Sequence, residues 1–226
     1  VNPSPEGYYS DDGGVVCSHL ELTDSGRAQV KDNCYTGGVD AHSARGWVIR
    51  DNYIEGFWCA EGLSEHAVHM WVTCRDTVVE RNVIVDCARG VGFGLGESGN
   101  GKTRDYGDEP CPGVVGYLGH IGGTIRNNMV FAGRAELFAS QAGFDSGVAL
   151  EQACDAQVYH NTIASLQPPF TGMEYRWPNT RAEIRNNLVT HAIKQRDGAV
   201  AELAANLVDA PVSHFVDAVA GDLHLA

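Results

Sequence analysis

Seven times along this chain, an apolar residue is followed three places later by asparagine and five places later by a second apolar residue, Tyr35 being the least apolar of these. The frames run Val30–Tyr35, Ile49–Ile54, Val79–Ile84, Ile125–Val130, Val158–Ile163, Ile184–Val189 and Leu203–Val208. They centre on Asn33, Asn52, Asn82, Asn128, Asn161, Asn187 and Asn206, at intervals of 19, 30, 46, 33, 26 and 19 residues. Seven of the twelve asparagines sit in this frame, so chance is a poor explanation and an internal repeat is the better one.

The spacing constrains the backbone. Asparagine to the closing apolar residue is a step of two, which is strand periodicity. The opening apolar residue to asparagine is a step of three, which breaks it. A chain that keeps both residues inward must turn a corner between them. Short strands, a fixed corner and recurrence at variable spacing predict an all-β parallel solenoid of about seven to eight coils with long loops. A sandwich also has short strands and turns but no reason to repeat asparagine in one frame. Asparagine tolerates bent backbone, and its amide can bond to the same amide one coil away.

A second strand precedes most corners. Val39–His42, Val68–Trp71, Val148–Glu151 and Met173–Arg176 each put apolar residues in the first and third places, and Val91–Gly94 follows the same alternation. Their second and fourth places are expected to face out. Ala199–Leu207 is expected to be strand because Leu203 and Asn206 keep the frame, and Pro168-Pro169 and 136–145 read as loops.

At 226 residues and 43% hydrophobic, the chain supports one core, and a single domain over 1–226 is expected. No apolar stretch is long enough to span a bilayer, and no basic segment leads into an apolar run at the start. The net charge of −13 argues against nucleic acid, whose binding rests on basic side chains, and makes calcium the expected bridge to any polyanion. Seven cysteines with no C-x-x-C pair exclude zinc-ribbon and thioredoxin motifs. At most two disulfides are expected, with Cys59–Cys87 the first candidate because both follow matching strands. Gly96–Thr103 matches the phosphate-loop pattern G-x-x-x-x-G-K-[ST], but the prolines and glycines after it oppose the helix that chemistry needs. No nucleotide is expected. The segment about 96–120 reads instead as a long loop over the outward face, with Asp105, Asp108 and Glu109 as candidate calcium ligands.

The runs W-V-I-R-D-N-Y-I, T-V-V-E-R-N-V-I-V and A-E-I-R-N-N-L-V resemble the parallel β-helix repeats of the pectate-lyase-like superfamily, and Phe215–Leu225 resembles a closing coil of such proteins. The resemblance covers the chain from about Val15 onward. It implies a right-handed parallel β-helix, a secreted, cell-surface or periplasmic setting, and a polysaccharide partner. It is far less specific for activity, because that fold hosts lyases, hydrolases, epimerases and adhesins.

Stacking is expected to align Asp40, His69, Gly92, Ala149 and Glu174 in one outward column, and His42, Trp71, Gly94, Glu151 and Arg176 in the next. Gly92 and Gly94 would leave a groove between them. A lyase of acidic polysaccharide would use His69 or His42 as base and Arg176 or calcium as the cation facing the enolate. The resemblance implies a lysine or arginine base, and only Arg176 is visible on this face. A glycoside hydrolase would use Glu151 with Glu174, or Asp40 with another acid. A binding or display module would use Trp71 and Asp40 without turnover. Glu61, Glu65 and His66 are expected at the groove rim. Joint metal binding by His66 and His69 is disfavoured, since strand alternation puts them on opposite faces. Unpaired strand edges at the stack ends suggest end-to-end self-association or missing flanking coils.

Overall fold

The computed structural model describes residues 1–4, 7–31, 33–98 and 103–226. The chain is nearly all-β. Three parallel sheets carry almost all the strands, and the chain passes through them in rotation, the path of a β-solenoid. The first sheet includes Val48–Arg50, Val78–Glu80, Thr124–Arg126, Ala153–Tyr159 and Arg181–Arg185. The second includes Tyr53–Glu55, Val83–Val85, Met129–Ala132 and Thr162–Ser165. The third is Val39–His42, His66–Trp71, Arg89–Phe93, Ser146–Glu151, Thr171–Arg176 and Ile193–Gln195.

Six of the seven expected asparagines form one file, buried except at its last member, Asn206. Asn52, Asn82, Asn128, Asn161 and Asn187 each donate from Nδ2 to the Oδ1 of the next, at 2.9–3.0 Å, ending on Asn206. Each also donates its backbone N–H to that same oxygen. The bend itself falls one residue earlier. Asp51, Arg81, Asn127, His160, Asn186 and Ala205 all take left-handed φ between 53° and 57°. The asparagine amide therefore holds the corner rather than adopting the unusual backbone. Asn33 is a correction: it lies exposed in a turn after the short helix Asp24–Arg27. Ser18 takes its place, donating its backbone N–H to Asn52 Oδ1 at 2.9 Å.

A second corner leads into the third sheet and was not read from the sequence. Gly38, Ala67, Gly90, Gly147, Gly172 and Ala192 each stand just before an inward Val, Met or Ile. Pairing skips this residue: Arg89, Ser146 and Thr171 align, as do Val91, Val148 and Met173. A Cβ on Gly90 would lie 2.1 Å from the Gly147 carbonyl oxygen, so only the smallest side chains fit. Between the corners, Ile49, Val79, Ile125, Val158 and Ile184 stack against Ile54, Ile84, Val130 and Ile163 and against Val68, Met70, Phe93 and Leu150. Each such burial stabilises by roughly 1.5–3 kcal/mol.

Several local readings are corrected. Cys59 bonds to Cys34 rather than Cys87, and Cys111 bonds to Cys154. Cys87 and Cys74 are buried thiols, raised to about 12 by loss of solvent. Ala135–Ala139, overlapping the start of the segment 136–145 read as loop, is a short helix. Phe215–Asp217 pairs antiparallel with Asp222–Leu225 instead of adding a parallel coil, and Phe215 and Leu223 pack on Phe131 and Ala164. Val200–Ala204 is strand, as expected. Of the phosphate-loop look-alike, 99–102 lie outside the described residues, and no helix occurs from Thr103 to Gly119. That loop leaves the third sheet at Glu151, which accepts from the Gly96 N–H. The Cys111–Cys154 bond and the packing of Tyr106, Val114 and Leu118 on Ile121 bind it to the first sheet. No described helix is long and apolar enough to cross a membrane.

Candidate functional site on the third sheet

The strand register puts the named residues in file. Asp40 pairs with His69, His69 with Gly92, Gly92 with Ala149, and Ala149 with Glu174; His42 pairs with Trp71, and Glu151 with Arg176. The wall has two parts, separated by Gly92 and Ala149.

The upper part is packed rather than open. His69 is 0% exposed and Trp71 is buried. The two rings stack with centroids 5.3 Å apart, and His42 packs edge-on against Trp71 at 4.3 Å. Trp71 Nε1 donates to Asp40 Oδ1 at 2.8 Å and the Tyr35 hydroxyl donates to Oδ2 at 2.7 Å, with His42 Nε2 3.3 Å from Oδ1. Burial pushes the Asp40 carboxyl up, but the contacts from His42, Tyr35 and Trp71 outweigh it and hold it well below the usual range. His69 thus presents no exposed atom to a substrate, and Trp71 is not free for sugar stacking. Both corrections have one cause: the rings pack against one another, and Asp40 takes up the Trp71 Nε1 donor.

The expected groove at the two glycines is filled. A Cβ on Gly92 would lie 2.6 Å from His66 Nε2, so the His66 ring occupies that space. A Cβ on Gly94 would lie 1.8 Å from the Glu151 carbonyl oxygen. His66 and His69 share one side of the strand, contrary to the alternation argument. Ala67 and Val68 both enter the core, and the corner between them brings the imidazoles to 4.5 Å. Glu65 turns in beside them, with Oε2 2.9 Å from His69 Nδ1. Glu61 is exposed and lines a separate cavity of about 450 Å³ beside Cys34 and Cys59. Asp108 pairs with Arg75 at 2.7 Å, and the three loop acids do not converge among the described residues.

The lower part is more open and carries more charge than the sequence disclosed. The strand Ile193–Gln195 puts Lys194 beside Glu174 in the first column. Arg196 donates from Nη1 to Glu174 Oε2 at 2.8 Å, and Arg176 donates from Nε to Asp197 Oδ2 at 2.7 Å. Phe170 is 45% exposed, with Lys194 Nζ 4.0 Å from its ring centroid and the Arg196 guanidinium 5.1 Å away. Lys194 has no carboxylate partner among the described residues. Burial raises the Glu174 carboxyl above its usual range, against the opposing pull of Arg196. Glu151 accepts a hydrogen bond from the Gly96 N–H. Lys194, Arg196, Asp197 and Phe170 escaped the sequence reading. The signal was present in His191-Ala192-Ile193-Lys194, which repeats the small-then-apolar step of Gly172-Met173.

No family model matches this chain. No curated protein and no solved structure matches it either.

Two buried imidazoles lead us to expect a pH-dependent stability. The fully buried His120 has Nδ1 3.1 Å from the Gly122 carbonyl oxygen and Nε2 3.0 Å from Thr77 Oγ1. A carbonyl only accepts, so Nδ1 carries the proton and Nε2 accepts from the hydroxyl. Burial lowers His120 to about 3 and also lowers His66 well below its usual value. The unfolded chain takes up these protons near pH 6.5, whereas the folded chain does not. Stability is therefore expected to be full above that pH and to fall below it, by up to about 1.4 kcal/mol per pH unit per histidine. Urea unfolding at pH 7, 5 and 4 measures this, and His120→Asn is expected to flatten the slope.

Proposed function

We propose that the chain is a right-handed parallel β-helix of the pectate-lyase-like kind, with about seven coils counted on Ser18 and the asparagine file. The right-handed sense rests on the near-universal hand of parallel crossovers. We infer that it binds an acidic polysaccharide across the lower third-sheet wall and cleaves it by β-elimination. The observation that carries this reading is Lys194, unpaired with any described carboxylate, beside Glu174 and over the exposed ring of Phe170. It supplies a lysine, which the sequence alone did not place on this face beside Arg176. Two disulfides favour an oxidising, extracellular setting.

In this mechanism the uronate carboxylate lies against Arg176 and Arg196, and the sugar face rests on Phe170. The Lys194 amine takes the proton from the carbon next to the carboxylate. The electron pair forms a carbon–carbon double bond as the bond to the leaving glycosidic oxygen breaks. Glu174, which burial biases toward its protonated form, delivers a proton to that oxygen. Calcium, when present, would supply a further bridge between the polymer carboxylates and an acidic protein.

The test is absorbance of unsaturated products on a panel of uronate polymers, with and without calcium. Lys194→Met is expected to lower the rate by about 10²–10⁴-fold while sparing polymer binding. No product on any polymer, or full activity in Lys194→Met, overturns the reading. A second reading, binding without turnover, is favoured by the pairing of Arg176 and Arg196 with carboxylates. It is distinguished by polymer retention with no product. Hydrolysis by Glu151 and Glu174 is less favoured, because the Gly96 N–H already occupies the Glu151 carboxylate.

A further inference from the structure

We propose that Glu65, His66 and His69 form a site for a borderline divalent metal cation of the zinc class, at the upper part of the third sheet. This inference is independent of the polysaccharide reading and uses none of its residues.

Convergence is the first observation. One donor atom from each of the three side chains lies within 4.8 Å of the others, and His66 and His69 are 1% and 0% exposed. A tetrahedral ion with bonds of about 2.0–2.1 Å holds its donors roughly 3.3 Å apart, so a small rotation of the His66 ring completes the set. Space for that ring exists because residue 92 is glycine.

Unsatisfied donor atoms are the second observation. Both ring nitrogens of His66, Nδ1 of His69 and Oε2 of Glu65 are buried and make no hydrogen bond. The 2.9 Å approach of Nδ1 to Oε2 has ion-pair length without hydrogen-bond alignment. The tautomer of His69 sharpens the point. Its Nε2 lies 3.0 Å from the Gly94 carbonyl oxygen, so Nε2 carries a proton. Nδ1 then faces a carboxylate oxygen, and the position between them takes either a proton or a metal cation. A backbone carbonyl on the far nitrogen is also the usual way a metal-bound imidazole is oriented.

The surrounding charges fit. Asp40 and Glu65 supply negative charge, and Arg89, aligned with His66, is drawn toward Asp145 at 3.2 Å. Two imidazoles and one carboxylate select zinc-like ions over calcium or magnesium, which prefer oxygen donors. Three protein ligands leave a coordination position for water.

The experiment is a competition titration of the chelator-treated 226-residue chain against a zinc-sensitive dye. Cobalt spectra, calcium and magnesium are run in parallel. One zinc equivalent, a tetrahedral cobalt spectrum and no displacement by calcium are expected. Glu65→Gln and His66→Asn are each expected to weaken zinc by more than ~100-fold, beyond the range seen for outer-shell losses. Gly92→Ala keeps all three ligands but displaces the His66 ring, and is expected to weaken zinc at least tenfold. Glu55→Gln, in the separate exposed cluster with His19 and Glu21, is expected to change nothing. Unchanged affinity in Glu65→Gln and Gly92→Ala, or calcium competing as well as zinc, overturns the proposal. So does a His69 Nδ1 that stays protonated by nitrogen NMR in saturating zinc. If His66→Asn fails to fold, the other two variants decide.

Discussion

Asn82→Ala is expected to destabilise the chain by about 3–5 kcal/mol, measured as a lowered urea midpoint at unchanged slope. Four hydrogen bonds disappear with one side chain. Asn52 loses the acceptor for both its N–H and its Nδ2, while Ile49 O and Asn128 Oδ1 lose a donor. The site is 1% exposed, so no water replaces these partners readily. A buried group left unpaired costs about 1–3 kcal/mol, which makes even a partial loss large. The left-handed residue before it, Arg81, also depends on that amide to hold the turn. Asn33→Gly provides the contrast. That residue is exposed at φ 61°, where glycine is at ease, and a change within about ±0.5 kcal/mol is expected.

Gly90→Ala is expected to cost about 3 kcal/mol, the upper end of overpacking effects. The added methyl would stand 2.1 Å from the Gly147 carbonyl oxygen. That oxygen belongs to the neighbouring strand's backbone, which cannot move without disturbing the ladder. Gly147 itself is enclosed, since a Cβ there would lie 2.5 Å from Ile163 Cγ2. Gly96→Ala serves as the control for steric crowding, because open space surrounds that position. Its φ of 62° adds only the modest penalty of a left-handed alanine, about 1–2 kcal/mol.

Much of the architecture was legible because its constraints repeat. The step of three located six corners, and the alternation in Val39–His42 or Met173–Arg176 aligned the outward columns in their observed register. Asn33 misled because a frame of three letters also occurs by chance in a turn. Ser18 escaped because the first rung needs only a backbone N–H, which every residue but proline has. The glycine corner was missed for a different reason. A glycine in a strand reads equally as a gap in a groove and as a place where strands approach too closely for a side chain. The same corner, between Ala67 and Val68, puts His66 and His69 on one side.

The site was less legible than the fold. Sequence spacing gave the columns but not the depth of their side chains. Trp71 and His69 read as available because they point away from the core. Tyr35, Asp40, Glu65 and His66 then close over them, and only three-dimensional packing discloses that. Lys194 lay hidden because its strand has only three residues.

A crystal structure of this chain tests the shared file of asparagines most directly. The expected result is Asn52, Asn82, Asn128, Asn161, Asn187 and Asn206 in one row, successive Cα atoms about 4.8 Å apart, and each amide bonded to the next. Finding Asn82 and Asn128 on antiparallel hairpins, or on different faces of the molecule, would contradict it.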